Sequence, residues 1–186
     1  MKIISLFAGA GGMDLGFLKA GHKIVWVNDN DPDSCSTYEK NFKCKPVCKN
    51  IEEVLSSEIP KGDVVIGGFP CQGFSIANPY RNTEDKRNKL YLELLRVIKD
   101  KNPKYFVAEN VAGLCSIGGY ETNEDRKNHT GKVLKVILEE LKKATPTGYH
   151  VEFKILNAAD FGVPQGRRRV IILGTRKDVK KILKHP

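Results

Sequence analysis

No apolar run in the sequence is long enough to span a bilayer. The first apolar stretch, residues 3–13, has only the outline of a signal peptide, since four glycines by residue 16 and the acid Asp14 interrupt it. These absences argue against a membrane protein and point to the cytoplasm. Cysteine is sparse as well: five residues, an odd number without framework spacing, exclude a disulfide scaffold and indicate a reducing compartment. Cys44 and Cys48 sit four apart, but with no second pair or nearby histidine they do not read as a zinc site. Acid is short relative to base. The 22 Asp and Glu against 31 Lys and Arg leave a net charge of +9, which suits a polyanionic partner better than an acidic one. There is no internal repeat and no low-complexity tract. A Gly-x-Gly-x-x-Gly fingerprint is also missing, because its sixth position is Asp14, so dinucleotide binding is only weakly supported.

What is present is one domain's worth of alternating strand and helix patterns in 186 residues. Residues 3–7 read as a buried strand, followed at once by the turn Ala8-Gly9-Ala10-Gly11-Gly12 and a helix over 13–20 that stops at Gly21. That order lets backbone amides approach a ligand at a helix N-terminus, with a tight turn without ligand as the lesser alternative. A second strand over 23–27 ends in Asn28-Asp29-Asn30-Asp31-Pro32. Asp29 is placed to meet ribose hydroxyls and Asp31 to cap a helix that begins at Pro32 and runs to about residue 42. A short third strand lies near 46–48.

The fourth strand, 64–66, delivers Gly67-Gly68-Phe69-Pro70-Cys71-Gln72-Gly73-Phe74-Ser75 to the carboxyl edge of the sheet, where open α/β folds bind ligands. Pro70 stiffens the turn that presents Cys71. The thiol there fits either a nucleophile that nearby positive charge activates or a buried small hydrophobe. A polar loop spans 76–88 and a helix 90–98. A fifth strand over 105–108 brings Glu109-Asn110-Val111 to the same edge, with Glu109 as a candidate acid. Residues 116–131 read as a loop and 132–143 as an amphipathic helix. The last strands, 151–156 and 170–173, flank Gln165-Gly166-Arg167-Arg168-Arg169 in a connection too short for a crossover helix, so this pair is expected to be antiparallel. Three arginines on a loop suit phosphate or base contacts, or a solvated charge run. The expected division is a domain over 1–178 and a basic trailing segment over 179–186.

In this order, the glycine turn, the acid after strand two, Pro-Cys, Glu-Asn-Val and Gln-Gly-Arg-Arg-Arg resemble the cytosine-C5 DNA methyltransferases. The resemblance covers nearly the whole chain. It implies an α/β, Rossmann-like S-adenosylmethionine-dependent methyltransferase fold with a mostly parallel seven-stranded sheet and an antiparallel last strand. It further implies methyl transfer to C5 of a cytosine flipped out of double-stranded DNA. Phe7, Gly9, Gly11 and Gly12 match the cofactor turn. Asp29 matches the ribose acid, Asn50 with Ile51 the adenine contact, Leu90 a position flanking the methionine part, and Pro70 belongs with the cofactor set. Cys71 matches the nucleophile that attacks C6, Glu109 the residue at the N3/N4 edge, and Arg169 and Arg167 the late-motif arginines, one of which meets O2. Gln72, Ser75, Arg167 and Arg168 are the residues expected on the nucleic acid, and no metal is implied.

Three positions depart from the family pattern. Asp29 stands where Glu is commoner, Asn30 where a bulky apolar residue stacks, and Asn50 where Asp is common. The sequence also stops just after strand seven, where the family continues into a target recognition domain and a returning segment. Half of a split enzyme, with a second polypeptide carrying that domain, or a truncated chain is therefore expected ahead of a degenerate remnant. Other readings are the tRNA methyltransferase branch, whose motif typically begins Pro-Pro-Cys where this chain has Phe69-Pro70-Cys71, a catalytically silent partner subunit, and a Rossmann oxidoreductase. On the split reading, Met1 to Pro186 alone binds S-adenosylmethionine poorly. Titration calorimetry is expected to show no micromolar affinity without a partner, and micromolar binding by the single chain would contradict that reading.

Overall fold

A computed structural model describes residues 1–70 and 90–186. Seven strands form one sheet in the order β3-β2-β1-β4-β5-β7-β6. They are β1 (Lys2–Leu6), β2 (Lys23–Asp29), β3 (Val47–Cys48), β4 (Val64–Gly68), β5 (Tyr105–Val111), β6 (Tyr149–Asn157) and β7 (Arg168–Arg176). The first five pair in parallel, and β7 runs antiparallel between β5 and β6. The expected mostly parallel sheet with one antiparallel last strand is present. Among the described residues the α-helices are α1 (Gly12–Lys19), α2 (Pro32–Asn41), α3 (Leu90–Lys101), α4 (Asn123–Lys127) and α5 (Lys132–Lys142).

The central strands are apolar on both faces because both faces are covered. Ile4, Leu6 and Val65 point into a core shared with Leu94 and Ile98 of α3 and Leu134, Ile137 and Leu141 of α5. The alternate residues Ile3, Val64 and Ile66 point the other way, toward Tyr38 of α2 and Met13 and Phe17 of α1. Val179 and Leu183 join that second cluster. Residues beyond β7 turn back over it, where Leu183 N–H donates to Thr175 Oγ1 at 2.9 Å and Tyr105 Oη–H to the Lys181 carbonyl at 3.1 Å. Among the described residues no helix is long and apolar enough to cross a membrane.

Local chemistry sets most boundaries. Asp31 caps α2 through Oδ2, which accepts from Ser34 N–H at 2.9 Å, and Pro32 occupies the first turn. Gly21, at φ 79°, closes α1 by donating to the Leu18 carbonyl. Three expectations need correction. Residues 116–131 are not all loop: Thr122 Oγ1 accepts from Asp125 N–H and Asp125 Oδ2 accepts from Thr122 N–H, a capping box that starts α4. Glu109, Asn110 and Val111 are the last residues of β5 rather than a loop beyond it. Arg168 and Arg169 likewise belong to β7, because the antiparallel ladder continues to Val111↔Arg169 and Asn157↔Arg168. The expected loop at 76–88 lies outside the described residues.

Gly174 sits opposite Phe106 in the β5–β7 ladder, and a methyl group there would overlap the Phe106 ring. Phe106 is fully buried and packs edge-on against Tyr149, with centroids 5.1 Å apart, so the ring has nowhere to retreat. Gly174→Ala is expected to cost about 1–3 kcal/mol in urea unfolding. Adding Phe106→Leu should recover part of that loss, and simple additivity of the two would refute the overlap as its cause.

Candidate active site at the carboxyl edge of the sheet

The strand order reverses between β1 and β4. From β1 the chain proceeds outward to β2 and β3, then returns to lay β4 and β5 on the other side. Leu6 pairs with Gly67, so the turn after β1 and the exit of β4 flank one crevice, the usual place for a ligand in a doubly wound sheet. Phe7 (φ 54°), Gly9 (φ 55°) and Gly11 (φ 89°) bend the first turn sharply. Gly11 precedes α1 without a side-chain cap, which leaves the helix's first amides to a ligand. Nothing stands within 4 Å of where a side chain would begin at Gly9 or Gly12. The cradle therefore has room above its backbone.

Asp29 holds this cradle. Its Oδ2 accepts from Gly9 N–H at 2.7 Å and its Oδ1 from Asp31 N–H at 2.9 Å. The end of β2 is thus tied to the turn after β1. Beside it, Asn30 Nδ2 donates to Asn50 Oδ1 at 2.8 Å, and Asn50 Nδ2 donates to Glu53 Oε1 at 3.1 Å. The two unusual asparagines meet each other. Ile51 is buried, with its carbonyl accepting from Arg96 Nη2 at 3.0 Å, and Arg96 also reaches the Val54 carbonyl and Ser56 Oγ. Leu90 opens α3 and packs half-buried against the core, and Pro70 is half-buried at the exit of β4.

Two strands from β1, roughly 10 Å at one strand spacing each, Glu109 forms an ion pair with Arg169, Nε to Oε1 at 2.8 Å. Val111 is the register partner of Arg169, so Glu109 is its diagonal neighbour on the same face. Both side chains are 25% exposed, which places the pair at a crevice wall rather than in the core. The second oxygen, Oε2, lies over Gly68, 3.1 Å from where a side chain would begin. Any larger residue at 68 would push the carboxylate away. Arg169 also donates from Nη1 to the Arg168 carbonyl at 2.9 Å. The side chains of Arg167 and Arg168 are exposed, and the Arg167 backbone N–H donates to Asn157 Oδ1 at 3.0 Å, closing the β6–β7 connection. Cys71, Gln72 and Ser75 lie outside the described residues.

Several polar residues that pattern reading passed over build this edge. Asn110, almost fully buried, donates from Nδ2 to the Phe69 carbonyl at 2.9 Å and so pins the chain one residue before Pro70. Asn28 reaches the carbonyls of Val47 and Lys49, both at 2.8 Å, and fastens β3 to β2. Asp14, wholly buried under the cradle, accepts from Ser5 Oγ at 2.9 Å and Tyr38 Oη at 3.0 Å. Burial pushes its carboxyl above the usual range, and the two hydroxyls oppose that shift without cancelling it. Only polar identity at otherwise apolar positions, Ser5 in β1 and Asp14 in α1, could have signalled this network.

The fold is that of a Rossmann-like methyltransferase, and the comparisons narrow the class. Residues 1–186 match the family model described as C-5 cytosine-specific DNA methylase, and the chain belongs to that family. It is 47% identical over 179 residues to the Type II methyltransferase M.FnuDI of Fusobacterium nucleatum, covering 96% of this chain and 48% of the relative. It is 40% identical to M.MthTI of Methanothermobacter thermautotrophicus, over 100% of this chain and 52% of the relative. Among solved structures, a DNA modification methyltransferase encoded within an E. coli prophage superposes with a TM-score of 0.74 at 26% identity, over 99% of this chain and 49% of that one. DNMT2 of Spodoptera frugiperda shares the fold with a TM-score of 0.73 at 24% identity, over 100% of this chain and 53% of that one. The chain spans about half the length of the curated relatives it matches.

The Asp14 network makes a pH-dependent prediction. A carboxyl raised above its ordinary value of 3.8 binds a proton more tightly folded than unfolded. Its contribution to stability is therefore full at low pH and falls as pH rises through the folded value. Asp14→Asn removes that loss, so its stability relative to wild type is expected to rise with pH across this window in urea titrations. Asp14→Ala strands two buried hydroxyls and should cost roughly 2–5 kcal/mol throughout. A flat difference for Asp14→Asn would refute the assignment.

Proposed function

We propose that this chain carries the chemistry of a DNA (cytosine-5-)-methyltransferase, with S-adenosylmethionine as methyl donor. The observation that supports it most is the Glu109–Arg169 pair at the exit of β4, beside the chain that leads into Cys71. The roles follow from what the reaction needs. Cys71 adds as thiolate to C6 of the ring, which pushes electron density toward C5. Glu109 engages the N3/N4 edge and favours protonation at N3 as the ring becomes electron-rich, and Arg169 holds Oε1 so that Oε2 faces the base. Arg167, or Arg169 from beside Glu109, meets O2, where a cation stabilises the developing charge. Loss of the C5 proton to a water base, with Cys71 leaving as thiolate and the N3 proton released, restores the aromatic ring.

The cradle suits the cofactor. Open space over Gly9 and Gly12, the uncapped start of α1 and the Asp29 carboxylate, with lone pairs left after two backbone contacts, fit its amino-acid and ribose parts. Asn50 with Ile51, Pro70 and Leu90 would line its remaining length. When bound, S-adenosylmethionine supplies an electrophilic methyl group on a sulfonium. Gln72, Ser75, Arg167 and Arg168 are assigned to the flipped nucleotide and its phosphates. Recognition of the DNA sequence falls to residues beyond the stretch this chain shares with its relatives, in a second polypeptide or a continuation of this one. The family description, a DNA methylase, favours DNA over tRNA as substrate, and the reaction is expected in the cytoplasm.

The test is transfer of labelled methyl from S-adenosylmethionine to duplex DNA, with tRNA in parallel and the rest of the relatives' length supplied as a second chain. Label in DNA should vanish with Cys71→Ala and fall about 10²–10⁴-fold with Glu109→Gln. Label in tRNA alone would favour the RNA branch, and none in either would favour a silent subunit.

A further inference from the structure

Two cysteines on successive elements converge on Asp29. Cys35 lies in the first turns of α2, where its Sγ contacts the Asp29 carbonyl at 3.6 Å. Cys48 ends β3 as the register partner of Asp29, one strand spacing from it, roughly 5 Å. Both residues thus flank the Asp29 backbone, and both are reduced. Their environments differ. Cys35 is 6% exposed while Cys48 is open to solvent. Burial, then the neighbouring Cys48 and the charges of Asp29 and Asp31, push the Cys35 thiol up to about 12. One sulfur is reachable and the other is sheltered behind it.

We propose that Cys35 and Cys48 are a redox-active dithiol that takes a peroxide as co-reactant and closes to a disulfide. The Cys48 thiolate attacks one peroxide oxygen, the O–O bond breaks, and the departing hydroxide takes up a proton to leave as water, with Cys48 now a sulfenic acid. Cys35 sulfur then attacks Cys48 sulfur. The S–S bond forms, the S–O bond breaks, and a second water departs with the Cys35 proton. Two thiols lose two electrons and one peroxide becomes two waters. The reaction draws Cys35 away from the Asp29 carbonyl and ties the start of α2 to the end of β3. That corner carries the Asp29–Gly9 contact and the Asn30–Asn50 bond.

Peptide mapping under non-reducing conditions tests this on the full chain, reduced and then exposed to a small excess of hydrogen peroxide. A Cys35–Cys48 linked peptide is expected as the main product, reversed by dithiothreitol. With Cys35→Ser, Cys48 should accumulate as a dimedone-trapped sulfenic acid several-fold above wild type. Cys48 progressing to sulfinic acid in the wild type while Cys35 stays free would overturn the proposal, as would linkage of Cys48 to another cysteine. The wild-type map needs no variant to fold, and it does not depend on methyl transfer, so failure of either proposal leaves the other standing.

Discussion

Parallel pairing of β1 with β4, Leu6 opposite Gly67, makes two neighbouring strands end at the same edge while their helices depart to opposite faces. A crevice must open between them, and hydrogen bonding within the sheet cannot satisfy the backbone that lines it. The rest of the edge answers that constraint. The Asp29 carboxylate takes up the amides of Gly9 and Asp31, and Asn110 takes up the carbonyl of Phe69. Asn28 does the same for the carbonyls at the end of β3. Each is a short polar side chain that replaces a missing ladder partner, and each fixes a turn that would otherwise be solvated and loose.

The short acid at position 29 gains a physical meaning in this setting. A carboxylate one methylene from the backbone stays close to the two amides it clasps, and a longer arm would extend past them. The asparagines at 30 and 50 are also explained jointly, since the amide of one donates to the carbonyl of the other. The ordinary charge or apolar surface of these positions has been replaced by a neutral pair. On the far side of the crevice the arrangement is charged instead, with a carboxylate and a guanidinium held by strand register over a glycine that leaves them room.

Sequence pattern revealed the sheet, its antiparallel last strand and the order of the elements, because apolar β-branched runs and the Asp31-Pro32 start are local signals. It cut β5 and β7 short for a physical reason. Glu109, Asn110, Arg168 and Arg169 are polar, and only the cross-strand ladder keeps them extended. The same limit hid α4, whose polar residues carry no periodicity and whose start depends on Thr122 and Asp125. At the site, the pairing of Glu109 with Arg169 could be suspected from two motifs at one edge but not seen as a contact. The buried Asp14, Asn28 and Asn110 had no apolar pattern to announce them. Cys48 drew attention through its spacing from Cys44, while the cysteine that shares Asp29 with it is Cys35.

The diagonal seating of Glu109 and Arg169 has an evolutionary side. Loss of either charge leaves the other half-buried and uncompensated, and a side chain at 68 displaces one of them. Three positions on three different strands therefore drift together or hardly at all. A descendant lineage abandoning this chemistry should shed them in a cluster, leaving a recognisable scar of simultaneous change.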